Sequence, residues 1–278
     1  MEEKYGLLGE PIEHSLSPAM HNLWFKETVI SGHYTAYSVP KPNLARTVDQ
    51  LRTLGIKGFN VTFPHKTAII PMLDEVRGTA GSIGAVNTVI QTDGQLIGYN
   101  TDGLGFYEGL RAHFPLLVKQ QPSVLIIGAG GAARSVALVL AQKFETRVDI
   151  TNRTFSKAVF LSEACRRFCT SDALTFQQAE EDIGRYQMVI NTTSIGLNPS
   201  ADQHLFRIDG AAPNTLFADL IYQPYRTAFL QEAERKGYPV MNGLPMLVFQ
   251  GALAFERWTG IHPDGKKMED YLLHTYLS

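Results

Sequence analysis

The feature that most constrains the fold is a glycine-rich turn set between two strongly patterned segments. Residues 124–127 read VLII, an unbroken apolar run of the kind buried inside a parallel sheet, and residues 133–144 read ARSVALVLAQKF, an apolar helix. Between them stands Gly128-Ala129-Gly130-Gly131-Ala132. A strand, a turn of this composition and a helix in succession form a cradle for phosphate. Gly128 permits the tight turn, Gly130 lets the backbone approach a pyrophosphate, Ala133 is small enough for close packing of helix on strand, and the helix N-terminus offers free N–H groups and positive dipole. The competing reading is a tight βα turn in an α/β domain that binds no nucleotide; the strand and helix on either side weigh against it.

About twenty residues further on, the second strand of such a unit ends near the ribose, and the residue there selects the nucleotide. Here RVDIT ends in Asn152-Arg153-Thr154, with Lys157 close behind. Two cations and no carboxylate suit a 2′-phosphate, which Arg holds through charge-assisted hydrogen bonds. NADP is therefore expected over NAD, with Asp149 inside the strand as the one acid that would serve NAD instead.

The rest of the chain supplies the frame. Downstream, RVDITNRT, a helix, DALTF, QMVINTT and LFADLIY continue a Rossmann-like series. Upstream, KYGLLGEP, PAMHNLWFKET, HYTAYSVP, NLARTVDQLRTLG, KGFNVTF and HKTAIIPMLDEV alternate β-rich with helical runs, which implies a second α/β sheet with parallel crossovers. GAVNTVIQTDGQLIGYNTD reads as a hairpin turning at Asp93-Gly94. A helix from Gly103, a loop holding Pro115 and Pro122, and two closing amphipathic helices complete the pattern. The expected fold is α/β: an N-terminal α/β substrate-binding catalytic domain, residues 1–103 plus 243–278, and a Rossmann-like dinucleotide-binding domain, residues 104–242, with a cleft between.

Composition narrows the partners. At 278 residues, 44% hydrophobic and 19% charged, with a net charge of -2, the chain is globular and has no basic field for nucleic acid. No apolar run is long enough for a membrane span, and MEEKYGLLGE is neither a secretory signal nor a transit peptide. Cys165 and Cys169 lie four apart on a helical stretch without a neighbouring His, so packing is expected of them, no metal site, and a reducing cytoplasm.

Polar residues also follow the strands of the first hundred positions, where open α/β sheets bind ligands. They are Ser15 and Ser17 in HSLSPAMHN, Thr62 and Lys66 in NVTFPHK, Asn87-Thr88 in GAVNT, and Asn100-Thr101-Asp102 in GYNTD. A lone Lys is normally a surface residue, Ser17 before Pro18 suits a helix N-cap, and Asn100 and Asp102 suit turns. Their recurrence at one sheet edge argues for a shared site.

Taken together, S-L-S at 15–17, N-V-T-x-P-x-K ending at Lys66, G-A-V-N-T at 84–88, N-T-D at 100–102, GAGGA at 128–132, NRT at 152–154, NTTSIG at 191–196, DLIYQPYRT at 219–227 and NGLPML at 242–247 followed by Gln250 resemble the shikimate dehydrogenase family over nearly the whole chain. The resemblance implies reversible NADPH-dependent reduction of 3-dehydroshikimate to shikimate in chorismate and aromatic amino-acid biosynthesis, by a monomer or homodimer. It implies Lys66 and Asp102 as the catalytic pair, and Ser15, Ser17, Thr62, Asn87, Tyr222 and Gln250 as further substrate contacts. For the cofactor it implies Gly128, Ala129, Gly130, Gly131, Ala132, Asn152, Arg153, Thr154 and Lys157, with Leu220 and Gly243. Gly78 departs from the pattern, standing where relatives often carry an acid or amide. Two other readings stand beside this one: a quinate or mixed quinate/shikimate dehydrogenase using NAD or NADP, against which Arg153 argues, and a non-catalytic NADP-responsive binding protein, against which the retention of both Lys66 and Asp102 argues.

Overall fold

The computed structural model describes residues 2–198 and 205–277. The chain divides into two units: the residues up to Asp102 with Val248–Leu272, and Gly103–Leu247 with the residues from Leu273 on. The second crossing thus falls inside the Leu244–Thr259 helix, not ahead of it at 243, and the chain's last residues go with the second unit.

In the first unit, β1 (Glu3–Gly9), β2 (Gly32–Ser38), β3 (Gly58–Val61), β4 (Glu75–Val76), β5 (Thr88–Thr92) and β6 (Gln95–Tyr99) form one sheet in the order β2-β1-β3-β5-β6-β4. The helices Ser17–Glu27 and Leu44–Thr53 carry the crossovers that set β1 parallel to both β2 and β3. Beyond β3 the sheet is mixed: β5 runs antiparallel to β3 and to β6, onto which Asp93 and Gly94, with φ of 51° and 78°, close it as a tight hairpin, and the edge strand β4 runs parallel to β6. One face packs Leu44, Val48 and Leu51 on Leu8, Phe59, Val61 and Val89. Toward the C-terminal segment, Gly58 leaves room for Trp258, whose indole nitrogen would lie 2.2 Å from a Cβ at that position and donates to the Val89 carbonyl at 3.0 Å.

The run HKTAIIPMLDEV is not the helix its composition suggests. It forms turns, a short 3₁₀ segment at Ile70–Met72 and the brief strand β4. Pro71 explains this: it has no N–H to donate, and its ring collides with the carbonyl four residues back, at Thr67.

In the second unit, β7 (Val124–Ile127), β8 (Val148–Thr151), β9 (Ala173–Leu174), β10 (Met188–Asn191), β11 (Leu216–Asp219) and β12 (Val240–Met241) are all parallel, in the order β12-β11-β10-β7-β8-β9. This is the doubly wound arrangement, with the order reversing between β7 and β10, and its ligand crevice lies at the carboxyl ends of those strands. VLII, VDIT, MVIN and LFAD are buried along their whole length, as strands covered on both faces must be. Pro115 opens a short helix, Pro115–Lys119, where a loop was expected, its fixed φ suiting the first helical position. Among the described residues no helix is long and apolar enough to cross a membrane.

Candidate active site

Lys66 stands in the turn after β3. Its backbone is held on both sides: the Lys66 carbonyl accepts from Val86 N–H at 2.8 Å, and the ring of the preceding His65 bonds to the Val39 carbonyl at 2.6 Å. The side chain reaches Asp102, just past the end of strand β6, Nζ to Oδ2 at 2.6 Å. Asp102 is buried, while the Lys66 side chain keeps 26% of its surface open. The ammonium is therefore anchored by a carboxylate that solvent barely reaches and still faces outward, toward an incoming group.

Asn87 organises the pair. Its Nδ2 donates to Asp102 Oδ1 and Thr101 Oγ1, both at 2.9 Å, and lies 3.2 Å from Gln250 Oε1; its Oδ1 accepts from Thr101 N–H at 2.8 Å and Thr88 Oγ1 at 2.9 Å. Asn100 Oδ1 accepts from Asp102 N–H at 3.0 Å, so the turn reading of Asn100 holds as well. The fold thus joins Lys66, Asn87, Asp102 and Gln250 by direct hydrogen bonds. Ser15, Ser17 and Thr62 follow the carboxyl ends of β1 and β3, and Gly9 admits Thr62, whose Cγ2 would be 2.4 Å from a Cβ there. Ser17 is not an N-cap: Leu16 takes that place, Ser17 starts the helix, and its N–H donates to Ser15 Oγ at 3.3 Å.

A further layer lies behind these residues. Tyr34 OH donates to Asn60 Oδ1 at 2.8 Å, and Asn60 Nδ2 donates to the Asn87 carbonyl at 3.1 Å and to Thr88 Oγ1 at 3.2 Å, all of it buried. Sequence reasoning gave Asn60 no role and set Thr88 among the site residues themselves, whereas Thr88 bonds to Asn87 Oδ1 and Asn60 Nδ2 from behind. The signal was an amide inside the otherwise buried strand GFNV, a place that tolerates Asn only when each polar atom is paired.

In the second unit, Gly128 has φ of 118°, and a Cβ there would meet Thr192 Oγ1 at 2.4 Å. Gly130 caps the Gly131–Phe144 helix without a side-chain bond, and nothing lies within 4 Å of a Cβ built on Gly130 or Gly131. Gly128 N–H donates to the Thr151 carbonyl at 2.8 Å, so the donors that face open space are those of the helix start around Gly130 and Gly131, which is what a pyrophosphate requires. After β8, Asn152 Nδ2 shapes the loop by donating to the Thr154 carbonyl at 2.8 Å, Thr154 caps the Phe155–Cys165 helix without using its hydroxyl, and Arg153 and Lys157 are exposed with no ion pair among the described residues. Asp149 is committed elsewhere. It is buried, accepts from Arg147 Nη1 at 3.1 and 3.2 Å, from Tyr186 OH at 2.7 Å and from Asp172 N–H at 2.8 Å, and so does not serve a ribose. These residues fit NADP: free donors for the pyrophosphate, free cations for the 2′-phosphate and no available acid. Leu220 and Gly243 are in intimate contact, the Leu220 oxygen lying 2.0 Å from where a Cβ on Gly243 would stand. Tyr222, half-buried in the same segment, has its phenol pKa raised by burial. Gly78, with φ of 63°, has open space around it.

A Rossmann unit with an anion cradle, and an α/β unit that carries a lysine–carboxylate pair, define a nucleotide-dependent oxidoreductase of the two-unit α/β class. Three family profiles match the chain: the shikimate dehydrogenase substrate binding domain over residues 7–89, shikimate / quinate 5-dehydrogenase over 113–219 and the shikimate 5′-dehydrogenase C-terminal domain over 243–273. A shikimate dehydrogenase (NADP(+)) of Geobacillus sp. (strain WCH70) is 44% identical over 98% of both chains. A solved shikimate dehydrogenase in complex with NADP+ superposes with a TM-score of 0.89 at 37% identity, over 98% of this chain and 95% of that one. The Thermus thermophilus shikimate 5-dehydrogenase, in complex with NADP(H) and shikimate, gives 0.85 at 38% identity over 96% and 97%. The chain belongs to the shikimate dehydrogenase family.

Proposed function

We propose that the chain catalyses the reversible NADPH-dependent reduction of 3-dehydroshikimate to shikimate, with NADPH on the second unit and the substrate on the first. The observation that carries this reading is the Lys66–Asp102 pair, 2.6 Å apart and open on the lysine side. NADPH supplies the hydride. Delivery of hydride to a ketone leaves negative charge on the substrate oxygen, and the Lys66 ammonium both stabilises that charge and gives the oxygen its proton. In the oxidation direction the same nitrogen receives the proton. Asp102 holds Nζ in place and offers its carboxylate to a neighbouring ring hydroxyl, and Asn87 fixes the carboxylate in turn. Ser15, Ser17 and Thr62, with Gln250 and Tyr222, are the short polar groups a polyhydroxylated acid needs, and a hydroxyl pair receives its carboxylate without burying another charge.

For the cofactor, the turn Gly128–Ala132 takes the pyrophosphate, Arg153 and Lys157 with Asn152 and Thr154 take the 2′-phosphate, and Leu220 and Gly243 border the nicotinamide end. NADP is favoured over NAD because Arg153 is free and Asp149 is not. Two free cysteines, one of them buried, suit a reducing cytoplasm.

The test is absorbance at the nicotinamide band, with NADP or NAD and with shikimate or quinate supplied separately. Reduction of NADP with shikimate, and little turnover in the other three mixtures, is the expected result. Preference for quinate, or for NAD, would overturn the assignment.

A further inference from the structure

We infer that Asp219 is a positioning residue: its carboxylate ties the carboxyl ends of β10 and β11 into one frame that fixes where Leu220, Tyr222 and Gly243 stand. The inference rests on the cofactor and substrate roles proposed above for those three residues. Asp219 itself is fully buried and faces inward, so it contacts neither ligand.

Three donors converge on it. Oδ1 accepts from Ile221 N–H at 3.0 Å, and Oδ2 accepts from Thr227 Oγ1 at 2.8 Å and from Asn191 Nδ2 at 3.1 Å. The amide of Asn191 cannot turn its oxygen toward Asp219, because that oxygen already accepts from Thr193 N–H at 2.9 Å and Thr193 Oγ1 at 2.8 Å, while Nδ2 also donates to the Ile195 carbonyl at 3.1 Å. The position at 219 is therefore one for an acceptor-only group, and a carboxylate is the side chain that accepts at both oxygens.

The frame ends at the proposed ligand contacts. Leu220 N–H donates to the Asn191 carbonyl at 3.0 Å, Gly243 N–H donates to the Ile221 carbonyl at 2.9 Å, and the Leu220 oxygen fills the space a side chain at 243 would need. On the far side Thr227 caps the Ala228–Arg235 helix through its hydroxyl. Residues 220–222 thus have one conformation only while Asp219 gathers its three donors.

The arrangement is expensive, which argues against a filler role. The groups facing the carboxylate from β10, from residues 220–221 and from Thr227 are all uncharged, and burial pushes its pKa up to about 6 against the pull of its donors. A buried charge with no counter-ion lowers stability, and such groups concentrate at functional sites.

Asp219→Asn replaces one of two accepting oxygens by a donor, so its NH2 faces either the Asn191 amide or, when flipped, the Ile221 N–H, donor against donor in both cases. Measured on the full chain, NADPH dissociation by fluorescence titration and KM for NADPH should both rise about tenfold, the worth of a hydrogen bond to a charged group. Thr227→Val should act in the same direction, and Thr227→Ser, which restores the hydroxyl, should return both values to wild type. A purely structural role would move the urea midpoint of both Thr227 variants and leave NADPH binding alone. Wild-type affinity should also weaken as pH falls through about 6 more steeply than that of Asp219→Asn. The 2′-phosphate titrates in the same range, near about 6, but does so equally in both proteins, so the difference between the two profiles belongs to Asp219. Should Asp219→Asn fail to fold, the Thr227 pair decides the matter. A folded Asp219→Asn that binds NADPH as wild type does, or a Thr227→Ser no better than Thr227→Val, would overturn the inference. A wild type that binds NADPH but does not reduce 3-dehydroshikimate would instead overturn the proposed reaction, and the NADPH titrations would still judge Asp219.

Discussion

Lys66 and Arg153 illustrate how differently two cations are used. Lys66 is bonded to a buried carboxylate, whereas Arg153 is exposed and has no ion pair among the described residues. Lys66→Ala is expected to lower turnover by orders of magnitude and to leave NADPH affinity near wild type, because in the proposed reaction the ammonium serves the reacting oxygen and not the nucleotide. Equal loss in cofactor binding, measured by titration, would contradict that division. Arg153→Ala should do the reverse: the ratio of NADP to NAD affinity should fall about tenfold or more, since a charge-assisted hydrogen bond contributes roughly 1.5 to 3 kcal/mol and only NADP carries the phosphate. If both cofactors weaken alike, Arg153 shapes the loop and Lys157 becomes the candidate. Both proposed roles are suggested by residue type without a structure, because a Lys after a strand and an Arg in place of an acid are chemical statements. The hub role of Asn87 was not legible. Whether an amide contacts ligand or organises its neighbours depends on which atoms surround it, and here both of its ends already have protein partners.

Elements follow from sequence where the backbone leaves one solution, and not otherwise. Asp93-Gly94 fixed the β5–β6 hairpin because few residues tolerate positive φ twice in succession, and the glycine-rich turn fixed β7 and its helix. The stretch after Lys66 was misread, since its apolar spacing suits a helix and Pro71 forbids one. The Leu244–Thr259 helix reads as amphipathic, but periodicity does not say that its first residues pack with one unit and its remainder with the other. The glycines of the turn offer a test at this scale. Gly128 has φ of 118° and a neighbour 2.4 Å from any added Cβ, so Gly128→Ala should lower unfolding free energy by about 1 to 3 kcal/mol and weaken NADPH binding with it. Gly130 has φ of -81° and empty space around it, so Gly130→Ala should keep its urea midpoint and still lose NADPH affinity, because the new methyl would occupy the approach proposed for the pyrophosphate. A Gly130→Ala protein with normal affinity would show that the pyrophosphate is held elsewhere.

For the molecule as a whole, stability against pH is the sum over groups whose protonation differs between folded and unfolded chains. On the acid side the largest contributor is His21, buried among Tyr34, Trp24, Phe255 and Trp258 with neither ring nitrogen bonded, and burial pushes its pKa from 6.5 down to about 3. Between those values the unfolded chain binds a proton that the folded one refuses, so stability is full above 6.5 and falls as pH drops toward 3. Asp219 works in the opposite sense. Its raised value means that the folded state holds a proton between 3.8 and about 6, so acidification through that window is favourable to folding and partly offsets His21. On the alkaline side, burial holds the Cys165 and Cys169 thiols above 9 and Tyr5, Tyr34 and Tyr186 above 10, so stability is full below 9 and declines as pH rises past it. Urea midpoints should therefore be highest between about 6.5 and 9 and fall on both flanks. His21→Phe separates the terms: it keeps the ring that stacks on Tyr34 at 4.4 Å and removes the proton site and two unpaired nitrogens. It should match or exceed wild type at pH 7 and exceed it by a wider margin at pH 5, where each unit of pKa difference is worth about 1.4 kcal/mol. Equal midpoint losses in the two proteins between pH 7 and 5 would remove His21 from the acid limb and leave that limb to the surface carboxylates.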